Sequence, residues 1–282
     1  MTIPHVLLDD PTALVQRVSE ALFEAQRQEG RREGLRDPGW FSSAVLLLLA
    51  PGMEGEGSQG GACVVLNKRS QAVRQPGDLC CPGGGISPRL DPALARLLGL
   101  PGLSLRKWPH YREWRDAHAQ PDRDLPLILA AALRESFEEM RVDPRNLTFL
   151  GLLPEQPLRV RRRAIHPAVA WLHRPQPFRL NWEVEKVVSV PLRALLDPSH
   201  YARLRVQWES PGLWPPERGP AEFPCFRFND GETQEILWGA TFSIVVRFLG
   251  LVFGFEPPSA ESLQEVSIRL NGTYLTGQPR NG

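Results

Sequence analysis

Ala131-Ala132-Leu133-Arg134-Glu135-Ser136-Phe137-Glu138-Glu139-Met140-Arg141-Val142 contains no proline or glycine and is rich in good helix formers. In a helix, Glu135, Glu138 and Glu139 stand at i, i+3 and i+4 and share one face. Three carboxylates so close repel one another. Arg134 and Arg141 offset part of that charge. A hard divalent cation would offset more, since Mg²⁺ takes carboxylate, phosphate and water oxygens. Alone, an E-x-x-E-E string more often marks a solvated acidic face. The residues upstream decide between the two.

Upstream, Pro82-Gly83-Gly84-Gly85 makes a glycine-rich turn. It follows the polar run Lys68-Arg69-Ser70-Gln71-Ala72-Val73-Arg74-Gln75-Pro76-Gly77 and Asp78-Leu79-Cys80-Cys81. The glycine turn and the acidic helix together resemble the Nudix box, G-x5-E-x7-R-E-U-x-E-E-x-G-U, where U is aliphatic. Residues 86–126 then read as an insertion inside the box, which a surface loop tolerates at small entropic cost. The run from Arg69 to Gly84 resembles the signature ahead of the box in the coenzyme A diphosphatase branch, roughly R-S-x-x-L-R-…-G-x-x-x-F-P-G-G. Cys81 stands where Phe is usual, and the Arg74-to-Gly77 spacing is short by a residue. Two later segments resemble the same branch. One runs from Glu183-Val184 to Val190-Pro191-Leu192, and the other is Ile236-Leu237-Trp238-Gly239-Ala240-Thr241.

The resemblance implies an α/β chain folded as a Nudix α/β/α sandwich, with a mixed sheet and an inserted helical segment. It implies hydrolysis of a diphosphate joined to a nucleoside. Glu135, Glu138 and Glu139 would hold Mg²⁺ or Mn²⁺, and Arg134 would orient a neighbouring glutamate by a charge-assisted hydrogen bond. The general base is left open between a box glutamate and a later residue, with Glu183 and Glu185 as candidates. Gly83, Gly84 and Gly85 bring backbone N–H groups close to anionic oxygens. Arg69 and Arg74, together with Arg161 and Arg162 in the run 159–163, suit phosphate recognition, and Lys68 could help. Coenzyme A carries such a phosphate at its 3′ position.

Two positions depart from the box. Arg141 replaces the final glycine, so the helix is expected to lack a left-handed stop and to end at Pro144. Counting back from Arg134, the upstream glutamate falls on Pro126, which leaves Asp122 or Asp124 as substitutes.

The expected reaction is metal-dependent cleavage of coenzyme A or an acyl-CoA to 3′,5′-ADP and a 4′-phosphopantetheine. The alternatives are a Nudix hydrolase of ADP-ribose or NADH, or a catalytically weak nucleotide-binding domain. The expected partner is a small-molecule nucleotide, with no nucleic acid and no membrane, and a homodimer is allowed.

The remaining chain is read from patterning. With 282 residues, 42% hydrophobic and 23% charged, it reads as an ordinary globular protein, and a net charge of +1 gives no global pull toward nucleic acid or anionic lipid. Cys63, Cys80, Cys81 and Cys225 lack C-x-x-C spacing and read as reduced thiols of a cytoplasmic protein. Residues 1–40 read as an N-terminal helix, capped by Asp9 or Asp10, and a linker. Residues 41–255 read as the Nudix domain and 256–282 as a C-terminal segment. Strands are expected over 43–50, 62–67, 147–153, 168–172, 204–208 and 223–228, with 181–192 reading as a strand entering a short helix and a loop over 158–167. Trp108, Tyr111 and Trp114 read as rings packing the insertion onto the core, with stacking on a substrate base as the second reading.

Overall fold

Asp10 caps the first long helix, its carboxylate accepting hydrogen bonds from the Thr12 and Ala13 N–H groups at 2.9 and 3.1 Å. The computed structural model describes residues 5–28, 40–52, 61–100, 102–117, 124–158, 162–209, 221–259 and 262–278. Helix α1 (His5–Asp9) leads into α2 (Pro11–Gln28), which buries Leu14, Val18 and Leu22 completely.

Strands β1 (Phe41–Pro51), β2 (Ala62–Arg69), β3 (Leu79–Cys80) and β4 (Gly83–Gly85) come next. They are followed by α3 (Asp91–Leu98), α4 (Tyr111–Ala117) and the acidic helix α5 (Asp124–Met140). Then come β5 (Leu147–Leu152), β6 (Gln156–Leu158), β7 (Arg163–Leu172), β8 (Val184–Pro191) and the short α6 (Leu192–Leu195). The first sheet runs β3-β2-β1-β7-β5, with β4 beside β1, β6 beside β7 and β8 beside β2. Its β1–β7 pair is parallel and the other pairs are antiparallel, so the sheet is mixed.

The continuous apolar run in β1 has a physical reason: both faces of the strand are covered. Leu47, Leu49, Val64 and Val169 face α2 and the late helix α7 (Gly239–Phe253). Leu46, Leu48, Val65 and Ala170 face α5 and the insertion. The result is the expected α/β/α sandwich. Rings of the insertion close the second layer. Trp108 is buried, donates its indole N–H to the Leu150 carbonyl at 3.1 Å and packs edge-on against Phe149. Trp114 is also buried, so neither indole is available to stack on a ligand.

Strand β7 is longer than expected. The polar stretch read as a loop enters the sheet at Arg163, because its backbone pairs with β1 from Phe41↔Arg163 onward. Pro167 has no N–H to donate. It stands where β5 pairing has stopped at Ala168 and β6 pairing begins at Ile165.

A second sheet of four strands follows: β9 (Tyr201–Trp208), β10 (Ala221–Asn229), β11 (Gln234–Trp238) and β12 (Glu265–Leu270), in the order β11-β10-β9-β12. The pairing of β9 with β10 follows the alternation seen in the sequence, and β12 joins β9 in parallel. The short α8 (Thr273–Thr276) ends the described chain against the loop 70–78.

Candidate active site

Helix α5 starts at Asp124 and accepts Pro126 in its first turn, where a missing N–H costs nothing. Asp124 therefore lies inside it. The helix ends in a left-handed residue after all. Arg141 has φ +57°, and its N–H donates to the Phe137 carbonyl at 3.0 Å. The Arg141 guanidinium lies 4.7 Å from the centre of the Phe137 ring, and its carbonyl accepts from Gln176. Arginine thus replaces glycine without losing the stop, at a conformational cost of about 1–2 kcal/mol.

Two carboxylates, Glu135 and Glu139, meet beside β4. Glu139 is buried, accepts from the Asn67 amide at 2.5 Å and is also hydrogen-bonded to the Gly83 backbone. Burial, then the charge of Glu135, push its carboxyl up to about 8, with Glu183 adding to the effect. Burial likewise raises Glu135, with the charges of Glu138 and Glu183 reinforcing it against the pull of Arg134. Glu138 is half exposed and 3.4 Å from Arg134. The glycines make this proximity possible. A Cβ on Gly84 would lie 2.5 Å from the Glu135 carboxyl, and one on Gly83 would lie 2.4 Å from the Ala44 carbonyl oxygen.

Arg134 ties the two halves together. Its Nε and Nη2 donate to the two oxygens of Asp91 at 2.7 and 3.1 Å, Nη1 donates to Glu135 at 2.8 Å, and Nη2 also reaches the Gly85 carbonyl at 3.0 Å. Asp91 is fully buried and accepts from the Ser87 N–H at 2.6 Å. The upstream acid of the box, sought at Asp122 or Asp124, is thus matched by Asp91 in α3; Asp122 lies outside the described residues. Counted forward from Gly85, Asp91 falls at the G-x5-E spacing, a signal that counting back across the insertion misses.

The donor chemistry fits a divalent cation: oxygen ligands, excess negative charge, and burial that penalises Glu139 while it lacks a counter-ion. Among the described residues, however, no three acidic, histidine or cysteine side chains already stand as a finished ligand set.

No family model matches the chain. It is 27% identical over 170 residues to the peroxisomal coenzyme A diphosphatase ndx-8 of Caenorhabditis elegans, an alignment covering 59% of this chain and 56% of that protein. The chain thus spans little more than half the length of this relative. The box geometry and this relative agree. In both respects the chain is similar to the Nudix superfamily.

Among solved structures, an Ap4A hydrolase of C. elegans is 17% identical, covering 55% of this chain and 83% of that one at a TM-score of 0.33. A MutT/nudix family protein of Enterococcus faecalis is 11% identical, covering 86% of this chain and 74% of that one at a TM-score of 0.40. Overlaps this loose add nothing to the assignment.

The other residues of the Nudix reading divide by place. Glu183 joins Glu135 and Glu139 electrostatically, whereas Glu185 turns away to Lys68, 3.6 Å distant. Lys68 also pairs with Glu235 at 3.1 Å and so points away from the glycine turn. Arg69 lines a cavity of about 560 Å³ on the other side of Gly83 and Gly84, together with Arg163, Asp78, Trp238 and Tyr274. Arg74 is exposed and contributes its carbonyl, which accepts from Arg69 Nε at 2.7 Å. Arg162 is exposed at the foot of β7, and Arg161 lies outside the described residues. Arg163 closes the arginine run 159–163 and Asp78 lies in the run from Arg69 to Gly84, whereas Tyr274 had no distinguishing motif in the sequence.

Among the described residues no helix is long and apolar enough to cross a membrane.

Proposed function

We propose that this Nudix protein is a Mg²⁺- or Mn²⁺-dependent diphosphatase that cleaves coenzyme A or an acyl-CoA to 3′,5′-ADP and a 4′-phosphopantetheine. The observation that carries the reading is the pair Glu135 and Glu139 against Gly84 and Gly83, with the charge of Glu183 acting on both and Arg134 locked to Asp91 behind them. The relative named a coenzyme A diphosphatase and the branch signature at Arg69 to Gly84 support the substrate. Reduced thiols at all four cysteines suit a cytoplasmic setting.

Glu135 and Glu139, joined by Glu138, would hold the cation. When bound, it neutralises phosphate oxygens and favours ionisation of an attacking water. The open backbone of Gly83 to Gly85 brings N–H groups to the diphosphate. Arg134 fixes Glu135 in place and is itself fixed by Asp91, so neither carboxylate nor guanidinium has to reorganise during reaction. The proton of water would pass to a box glutamate or to Glu183. The water oxygen forms the new bond to phosphorus, the bridging P–O bond breaks, and two phosphate monoesters leave.

The test is product analysis with coenzyme A, Mg²⁺ or Mn²⁺, and purified protein beside Glu139→Gln. Release of 3′,5′-ADP, lost by at least about two orders of magnitude in the variant, is expected. Cleavage of ADP-ribose or NADH with coenzyme A untouched would overturn the substrate. No metal-dependent turnover of any of them would overturn the hydrolase reading and leave a nucleotide-binding domain.

A further inference from the structure

The cavity beyond the glycine turn differs in character from the carboxylate cluster. Its walls carry two guanidinium groups, Arg69 and Arg163, and one carboxylate, Asp78. Both oxygens of Asp78 are engaged: Trp238 Nε1 donates to one at 3.0 Å and Tyr274 Oη to the other at 2.6 Å. No carboxylate among the described residues forms an ion pair with Arg69. Its Nε is held by the Arg74 carbonyl, which orients the rest of the fork. Gly239, Ala240 and Thr241, the first turn of the fifteen-residue α7, also line the cavity, and no side chain caps that helix. The Arg69 fork, without a carboxylate ion pair among the described residues and in a space continuous with the glycine turn, suits a phosphate group.

The C-terminal segment builds one wall of this space. The Tyr274 carbonyl accepts from the Gln75 N–H at 2.7 Å, and the Gln278 N–H donates to Gln71 at 3.0 Å. Gly277, at φ +80°, sits so tightly on this loop that a Cβ there would lie 2.8 Å from the Ala72 carbonyl oxygen. At the base of the loop, the Arg69 N–H donates to the Asp78 carbonyl at 3.0 Å and the Gly77 N–H to the Arg69 carbonyl at 2.9 Å. Tyr274 therefore holds Asp78, and Asp78 shares its backbone pairing with Arg69.

We propose that this cavity is a subsite for a phosphomonoester carried outside the scissile diphosphate, that Arg69 binds it, and that Tyr274 is a positioning residue acting through Asp78. The assignment rests on the diphosphatase reading for its place beside the glycine turn, and its test is separable from that reading.

Calorimetry with adenosine 3′,5′-bisphosphate and with 5′-AMP as probes measures the preference for the second phosphate without any turnover. The wild-type chain is expected to prefer the bisphosphate by about ten-fold or more, as a charge-assisted pair predicts. Arg69→Ala brings that ratio close to one. Tyr274→Phe keeps the ring and removes the hydroxyl, and it lowers the ratio roughly three- to five-fold, the loss of one buried hydrogen bond. Trp238→Phe removes the other donor to Asp78 and moves the ratio in the same direction, giving a second arm if Tyr274→Phe does not fold.

In kinetics, Tyr274→Phe raises KM for coenzyme A by a factor similar to its binding loss and changes kcat by less than about two-fold. It leaves the KM of the analogue lacking the 3′-phosphate unmoved. Equal wild-type affinity for the two probes overturns the subsite. Equal losses for both probes in Tyr274→Phe and Trp238→Phe overturn the positioning role. A bisphosphate preference abolished by Arg69→Ala, in a protein that cleaves neither coenzyme A nor its analogue, overturns the diphosphatase reading and leaves the subsite standing.

Discussion

The glycine turn has an acidic side and a basic side. On one, Glu135 and Glu139 lie close under the added charge of Glu183; on the other, Arg69 and Arg163 face a cavity. Their arginines differ as well. Arg134 spends its guanidinium on Asp91, Glu135 and the Gly85 carbonyl, while Arg69 is held by the Arg74 carbonyl and the Cys80 thiol and has no carboxylate ion pair among the described residues. A saturated fork organises its neighbours, and an unsaturated one is available to a ligand. Three residues without side chains separate the two sides, so a polyphosphate can approach the backbone between cation-seeking and anion-seeking groups.

The sharpest way to break this comparison is to give the turn a side chain. Gly84→Ala would push the Glu135 carboxyl from its seat, since the new Cβ lies 2.5 Å from it. Misplacement on that scale costs about 100-fold in kcat, read by steady-state hydrolysis of coenzyme A, with the melting temperature little changed. An unaltered kcat would show that the carboxylate needs no fixed position.

Removing the buried partner of Arg134 comes next. Asp91→Ala leaves a guanidinium largely buried without its strongest neighbour, and urea unfolding should show a loss of about 3–5 kcal/mol. Asp91→Glu, which restores the acid of the Nudix box, should recover part of it. If Asp91→Ala unfolds like the wild type, the ion pair is not what joins the insertion to α5.

The acidic side also predicts a pH dependence. The Glu139 carboxyl lies near 8 in the fold against an ordinary value of 4.5, chiefly through burial. Between those values the unfolded chain releases a proton that the folded chain keeps. Metal-free stability should therefore fall as pH rises from about 5 and level off above about 8. Thermal melts across that range should show the decline, and Glu139→Gln should flatten it. Added Mn²⁺ should raise the melting temperature more at the alkaline end, where the ionised carboxylate is the form that binds it.

The smallest effect belongs to the helix end. Arg141→Gly relieves a left-handed backbone but removes the contact with Phe137, so a net gain of about 0.5 kcal/mol is expected in the same urea experiment. A loss would mean that the guanidinium–ring contact outweighs the strain.

Much of both sheets was legible. The apolar run of β1 and the alternation in β8, β9 and β10 follow from local periodicity and from where glycine and proline sit. Strand β7 was not legible at its start, because Arg163 and His166 look like loop residues until β1 lies beside them. The carboxylates of α5 were legible as a face, but their different fates were not. Glu139 turns into the sheet and Glu138 toward solvent, a difference of burial between adjacent residues that i, i+3, i+4 spacing does not express.

By itself the sequence determined the acidic helix, the glycine turn and the strands that carry them, because helix periodicity and the conformational freedom of glycine act over a few residues. Tertiary structure decided the rest. Arg134 and Asp91 are 43 residues apart, and Tyr274 and Asp78 are 196 apart. Such partners are chosen by the path of the chain and by the need of buried charges to find one another, and short-range patterning records neither.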